Sequence, residues 1–200
     1  MHEKRFKHTQ AHKLEDPECL ISLPPAEVIT RLKLKAGMQV ADIGAGTGYF
    51  SIPIAREILP LGRVRAVDVE PEMLAKLKAK LDLPDAPDNI DLVQGEATET
   101  TLAADSCDLV LMANVWHEVD DRRAALDEAR RILHKSGLLA ILDWRPDVDR
   151  PPGPRIEHRI SPDAARAELD QAGWTVDSIA NIGPYRYLLL AHIKLTDRSS

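Results

Sequence analysis

The stretch Val40-Ala41-Asp42-Ile43-Gly44-Ala45-Gly46-Thr47-Gly48-Tyr49-Phe50 limits the fold of this chain more than any other part of its sequence. An apolar run over 38–43 passes straight into three alternating glycines, and then Phe50, Ile54, Ala55, Ile58 and Leu59 recur at helical spacing. Glycines allow a sharp backbone turn and the close approach of a ligand. The pattern is strand, tight loop, helix, with free N–H groups of a helix start turned toward whatever binds there.

The alternation continues along the chain. A second apolar run, 64–69, leads to Pro71, which suits a first helical turn, and Met73, Leu74, Leu77 and Leu81 make an apolar stripe after it. A short strand is expected over 90–93 and a longer, almost wholly apolar and therefore central one over 107–115. A helix is expected over 121–134, stopped by a basic last turn and Gly137, before a strand over 138–142. Residues 145–159 hold four prolines and a glycine, which marks a functional loop. Ser161-Pro162-Asp163 opens a last helix that ends at Gly173. The strands expected over 175–180 and 186–194 are joined so briefly that they must be antiparallel. The expected fold is α/β and doubly wound: a mostly parallel seven-stranded sheet with a C-terminal antiparallel hairpin.

Two acidic positions narrow the ligand. A pyrophosphate-binding loop would read G-x-G-x-x-G, but Tyr49 stands at the third glycine, and Asp42, two residues before Gly44, would repel a pyrophosphate. Asp42 suits instead a ligand carrying an amino group. Asp68 ends the second strand twenty residues after Gly48, where a carboxylate accepts both hydroxyls of a ribose. Asp68 is also placed to cap the helix at Pro71.

With these motifs, and with Asn114-Val115-Trp116-His117-Glu118 after the central strand, the chain resembles the class I S-adenosylmethionine-dependent methyltransferases. It is most similar to the type 11 group that includes the ubiquinone/menaquinone C-methyltransferases and the arsenite methyltransferases. The resemblance implies a Rossmann-like methyltransferase domain over 20–195, with residues 1–19 an N-terminal arm and 196–200 a tail. It implies S-adenosylmethionine as cofactor and S-adenosylhomocysteine as product. Asp42, Gly44, Ala45, Gly46 and Gly48 would surround the methionine part, Asp68 the ribose, and Val69 and Met73 the adenine. Glu96 and Ala97 match a further cofactor segment, in which Glu96 replaces the usual aspartate, and Asn114 would lie beneath the cofactor.

Methyl transfer from a sulfonium mainly needs alignment and exclusion of water, with a base only where the acceptor must lose a proton. His117 follows Asn114 at the carboxyl end of the central strand, where such sheets place their ligands, and is the candidate catalytic base. The alternative reading is that it bonds a loop carbonyl while Glu118, Asp120 and Asp121 cap the next helix. Candidates for the acceptor side are Glu118, the segment Asp143-Trp144-Arg145, then Arg155, His158, Arg159 and Tyr185. The segment 20–28, with Leu23-Pro24-Pro25, is expected to close over the cofactor.

The bulk properties fit a small-molecule enzyme. A net charge of -6 gives nucleic acid or an anionic membrane no long-range attraction, and 4% aromatic content offers no platform for stacking bases. The exception is a basic start, Lys4, Arg5, Lys7 and Lys13 among His2, His8 and His12. Two cysteines, Cys19 and Cys107, argue against a disulfide framework and against the arsenite branch, whose members hold arsenic with several cysteines. No metal site, membrane span or secretory signal is expected, which places the chain in the cytoplasm. The sequence identifies neither the acceptor nor an oligomeric state, and a non-catalytic module of the same fold is the alternative to an enzyme.

Overall fold

In the computed structural model, which describes residues 22–148 and 153–194, helices and strands alternate as the hydrophobic pattern predicts. The basic start, Cys19 and the tail 196–200 lie outside the described residues. In chain order the elements are α1 (Pro25–Leu32), β1 (Gln39–Ile43), α2 (Ser51–Glu57), β2 (Arg63–Asp68), α3 (Pro71–Leu81), β3 (Ile90–Gln94) and β4 (Cys107–Ala113). A 3-10 turn, Trp116–Glu118, precedes α4 (Arg122–Ile132) and β5 (Leu133–Trp144). A second such turn, Ile156–His158, precedes α5 (Pro162–Gln171), β6 (Trp174–Ile182) and β7 (Arg186–Ile193).

The strands form one seven-stranded sheet in the order β3-β2-β1-β4-β5-β7-β6. The first five are parallel, and β7 enters antiparallel between β5 and β6. Side chains of a strand alternate between the faces of a sheet, so a strand covered on both sides is apolar throughout. In β4, Val110 and Met112 join Ala129 and Leu169 in one core while Leu109 and Leu111 join Ile54 and Val28 in the other. All four of these β4 residues are completely buried. Each contributes about 1.5–3 kcal/mol by leaving water, which makes this strand the center of the molecule.

The helix expected over 121–134 is shorter than its basic turn and Gly137 suggested. It ends at Ile132, where Leu133 turns extended (φ -76, ψ 142) and pairs with Cys107 as the first residue of β5. The carbonyls of Arg131 and Ile132 accept the backbone N–H groups of Ser106's neighbor Asp105 (3.0 Å) and of Ser106 (2.8 Å), respectively. A loop 26 or so residues upstream thus satisfies the helix end, and no glycine cap is required. The final helix follows expectation: the Ser161 hydroxyl accepts the Ala164 N–H, and Pro162 fills the first turn.

Candidate active site

β1 lies between β2 and β4, so the strand order reverses there and the chain leaves the two sides of the sheet in opposite directions. Such a point opens a crevice at the carboxyl ends of the strands. Here the crevice is a cavity of about 720 Å³ that takes in the glycine loop, the ends of β2 and β4, Trp144 of β5 and Arg186 of β7.

The glycine loop is tied to the end of β2. Gly44 and Ala45 donate backbone N–H groups to the Val67 carbonyl at 2.8 and 3.0 Å, and the Gly46 N–H donates to Asp68 Oδ2 at 2.8 Å. Gly44 has φ +72, and a Cβ there would stand 2.2 Å from Val115 Cγ2, so both backbone and space demand glycine. Gly48 has a different role: a Cβ on it would meet Leu77 Cδ1 at 2.4 Å, so it sets the packing of α3 against the loop. It does not line the cavity, whereas Asp42, Gly44, Ala45 and Gly46 do.

Asp42 is almost fully buried and accepts the Ser51 hydroxyl at 2.5 Å. Burial pushes its carboxyl up to about 6; the Ser51 bond opposes this and the charge of Asp68 adds to it. Burial also raises Asp68, against backbone N–H bonds from Glu70 and Gly46. Asp68 does not cap α3; its Oδ1 accepts the Glu70 N–H at 2.9 Å and shapes the loop before the helix. Val69, Met73, Glu96 and Ala97 line the same side of the cavity.

Across the cavity the walls come from distant segments. Asn114 has φ +57, donates its N–H to the Leu142 carbonyl at 2.7 Å and accepts Arg186 Nε at 2.9 Å. His117 is only 4% exposed, yet it touches the cavity. Its Nδ1 lies 2.8 Å from Asp143 Oδ1, its backbone N–H donates to Asp143 Oδ2 at 2.8 Å, and its Nε2 lies 3.6 Å from Glu118 Oε1. Burial disfavors the imidazolium, but the hydrogen bond and charge of Asp143, with Glu118, outweigh it and hold the His117 pKa above its ordinary value. Two guanidiniums lie over the Trp144 ring, Arg186 with its carbon 3.7 Å and Arg159 with its carbon 5.2 Å from the ring centroid.

Glu118, Trp144, Arg155 and His158 therefore share the cavity with His117. Arg159 and Tyr185 are not among the residues that line it. Arg159 is buried and donates to the carbonyls of Pro154 and Arg145, bracing the segment that follows 153, and the Tyr185 carbonyl accepts the Arg145 N–H. Asp121 caps α4 by accepting the Ala124 N–H, and Trp116 is fully buried packing. Leu23 reaches the cavity and its carbonyl accepts the Tyr49 hydroxyl, so the segment before α1 does adjoin the glycine loop. The residue that sequence reasoning passed over is Arg186, although a charge opening the apolar run Tyr187 to Leu190 was a signal.

The lining fits an S-adenosylmethionine-like ligand. Buried carboxylates at Asp42 and Asp68 offer acceptors to amino and hydroxyl groups, the loop offers backbone N–H groups, and Val69, Met73 and Ala97 offer apolar surface. Carboxylates outnumber guanidiniums along it, which favors a cationic sulfonium. Among the described residues no group of three or more His, Cys, Asp or Glu is placed to hold a metal ion.

Residues 41–141 match the family model described as a methyltransferase domain, and the chain belongs to that family. It is 39% identical over 126 residues to an uncharacterized methyltransferase of Mycobacterium bovis, covering 63% of this chain and 47% of that protein. An arsenite methyltransferase of Halobacterium salinarum is 29% identical over 153 residues, covering 72% of this chain and 39% of the other. The chain thus spans less than half the length of these relatives. A crystal structure of an S-adenosylmethionine-dependent methyltransferase from Aquifex aeolicus superposes with a TM-score of 0.88 at 28% identity, covering 94% of this chain and all of that one. The fold is the Rossmann-like methyltransferase fold, and the cofactor of that family and fold is S-adenosylmethionine.

Proposed function

We propose that this chain transfers a methyl group from S-adenosylmethionine to a small-molecule acceptor, with His117 as the base. The observation that supports the reading is that one cavity is lined by two chemically different sets of residues. The glycine loop, Asp42 and Asp68 form the set suited to the zwitterionic and ribose parts of the cofactor. His117, Glu118, Trp144 and His158 also line the cavity and form the set suited to an acceptor. When bound, the cofactor supplies an activated methyl group on a sulfonium. The protein's share is to align the acceptor, exclude water and take a proton.

The balance of charge suits turnover, since an acidic lining attracts a cation more than the neutral thioether left after transfer. Arsenic as acceptor is poorly supported, despite the Halobacterium relative. Cys107 is buried in β4 and does not line the cavity, and Cys19 lies outside the described residues. The test is calorimetric titration with S-adenosylmethionine and S-adenosylhomocysteine, with NAD(H) as control, followed by a screen of phenol, amine and thiol acceptors. Micromolar binding of the first two and turnover of one acceptor class is the expected result. Binding of neither would overturn the reading.

A further inference from the structure

We infer that Asp143 is a positioning residue for methyl transfer: it fixes His117 as the Nδ1-protonated imidazole, with the Nε2 lone pair turned to the cavity. The inference rests on the transferase reading above and concerns a residue that touches neither cofactor nor acceptor.

The geometry is a two-point attachment. Asp143 is completely buried at the end of β5. Its Oδ2 accepts the backbone N–H of His117 at 2.8 Å, which holds the start of the 3-10 turn, and its Oδ1 meets the ring Nδ1 at 2.8 Å, which holds the ring. An ionised carboxylate only accepts, so the proton belongs on Nδ1 and the lone pair on Nε2. The Trp144 N–H also donates to Oδ1, at 2.6 Å, so the carboxylate is itself held and cannot swing away. Anchoring a turn does not require a charge, because an asparagine oxygen accepts a backbone N–H as well. A buried carboxylate is costly to desolvate and is warranted where a cation forms beside it.

The groups facing the His117 ring are Asp143 from β5, Glu118 from its own turn and Arg159 from beyond residue 153. The two carboxylates stabilize the imidazolium and Arg159 opposes it, with Asp143 nearest. The step they serve balances as a proton transfer. The acceptor's O–H, N–H or activated C–H bond breaks, its proton forms a bond to Nε2, and its electron pair remains on the acceptor. The imidazolium then returns the proton to solvent. Asp143 takes up no proton in this step and only orients the ring, as the carboxylate does in other base-and-orienter pairs.

The test uses the whole chain labeled with nitrogen-15, with the His117 signals identified by their absence in His117→Ala. In the wild type, Nδ1 should carry the proton at high pH, Nε2 should be bare, and the ring should titrate above the ordinary 6.5. In Asp143→Asn, the midpoint should fall by about one unit or more and the tautomers should mix. Wild-type protein with the proton on Nε2, or with a midpoint at or below the ordinary value, overturns the inference without any variant. So does an Asp143→Asn protein that binds S-adenosylhomocysteine normally while His117 titrates unchanged. Failure of the wild type to bind S-adenosylhomocysteine would instead overturn the transferase reading and leave the tautomer result standing on its own.

Discussion

The two sets of residues that line the cavity are built on opposite principles. On the glycine-loop side the donors are mostly backbone N–H groups, as when Gly44 and Ala45 donate to the Val67 carbonyl and Gly46 and Glu70 donate to the Asp68 carboxylate. On the far wall, side chain meets side chain, as His117 does Asp143 and Arg186 does Asn114. The first set is a shaped backbone with a few carboxylates. The second is a network of paired charges and a stacked indole. A backbone cradle tolerates few changes of shape, whereas a side-chain network can be altered piece by piece, so the contrast predicts which substitutions affect binding and which affect turnover.

The largest expected effect is on turnover alone. His117→Ala should lower transfer about 10²–10⁴-fold, the usual contribution of a positioned base, while S-adenosylhomocysteine affinity stays within about threefold. Equal losses in both, measured by steady-state kinetics and calorimetry, would erase the division between the two sets. Next comes the cradle. Gly44→Ala forces a side chain into a left-handed position and against Val115, and should cost about 2–4 kcal/mol in unfolding stability together with cofactor binding. Denaturant unfolding and calorimetry on one preparation check both. Asp68→Ala should weaken S-adenosylhomocysteine by about 1.5–3 kcal/mol, the scale of hydrogen bonds to a charged group.

A pH titration gives the smallest and sharpest contrast. Asp42 is held near 6, so cofactor affinity should fall as the pH drops below about 6 and this carboxylate is neutralised. For stability the sign is the reverse: a raised acid destabilizes the fold as pH rises through its folded value. His117 behaves likewise, its stabilizing contribution being complete below 6.5 and lost as pH rises through its elevated value. The Asp42 effect should appear in binding isotherms between pH 5 and 7, and the His117 effect at higher pH in stability.

The same contrast explains what was legible in the sequence. Asp42, Gly44, Gly46 and Asp68 stand in local motifs whose spacing alone places them, and α/β alternation with a closing hairpin gave the sheet. His117 was marked by its position after the central strand. Its partner Asp143 was visible only as one of three consecutive polar or aromatic residues, because which of them turns inward depends on the register of β5 against β7. Asp143 pairs with Tyr187 and Trp144 with Arg186 in that register, and no spacing along the chain reveals it. Arg159 and Tyr185 were chosen for proximity to the same edge, but one braces a loop and the other offers only its carbonyl. The early end of α4 was hidden for a similar reason, since the groups that satisfy it come from residues 105 and 106.

The insertion of β7 between β5 and β6 has a consequence during synthesis. The residues of the cofactor side of the cavity are all present in the nascent chain once Asn114 has been made, but Arg186 and the antiparallel partner of β5 emerge far later. At about 5–20 residues per second, the ribosome takes roughly 2–8 s to pass from Trp144, the end of β5, to Arg186. During that interval Leu139, Ile141 and their neighbors present an apolar strand with one open edge, the arrangement most prone to pair with another chain. For this molecule, the vulnerable moment of production is therefore late, and it lasts until the strand that also delivers Arg186 has docked.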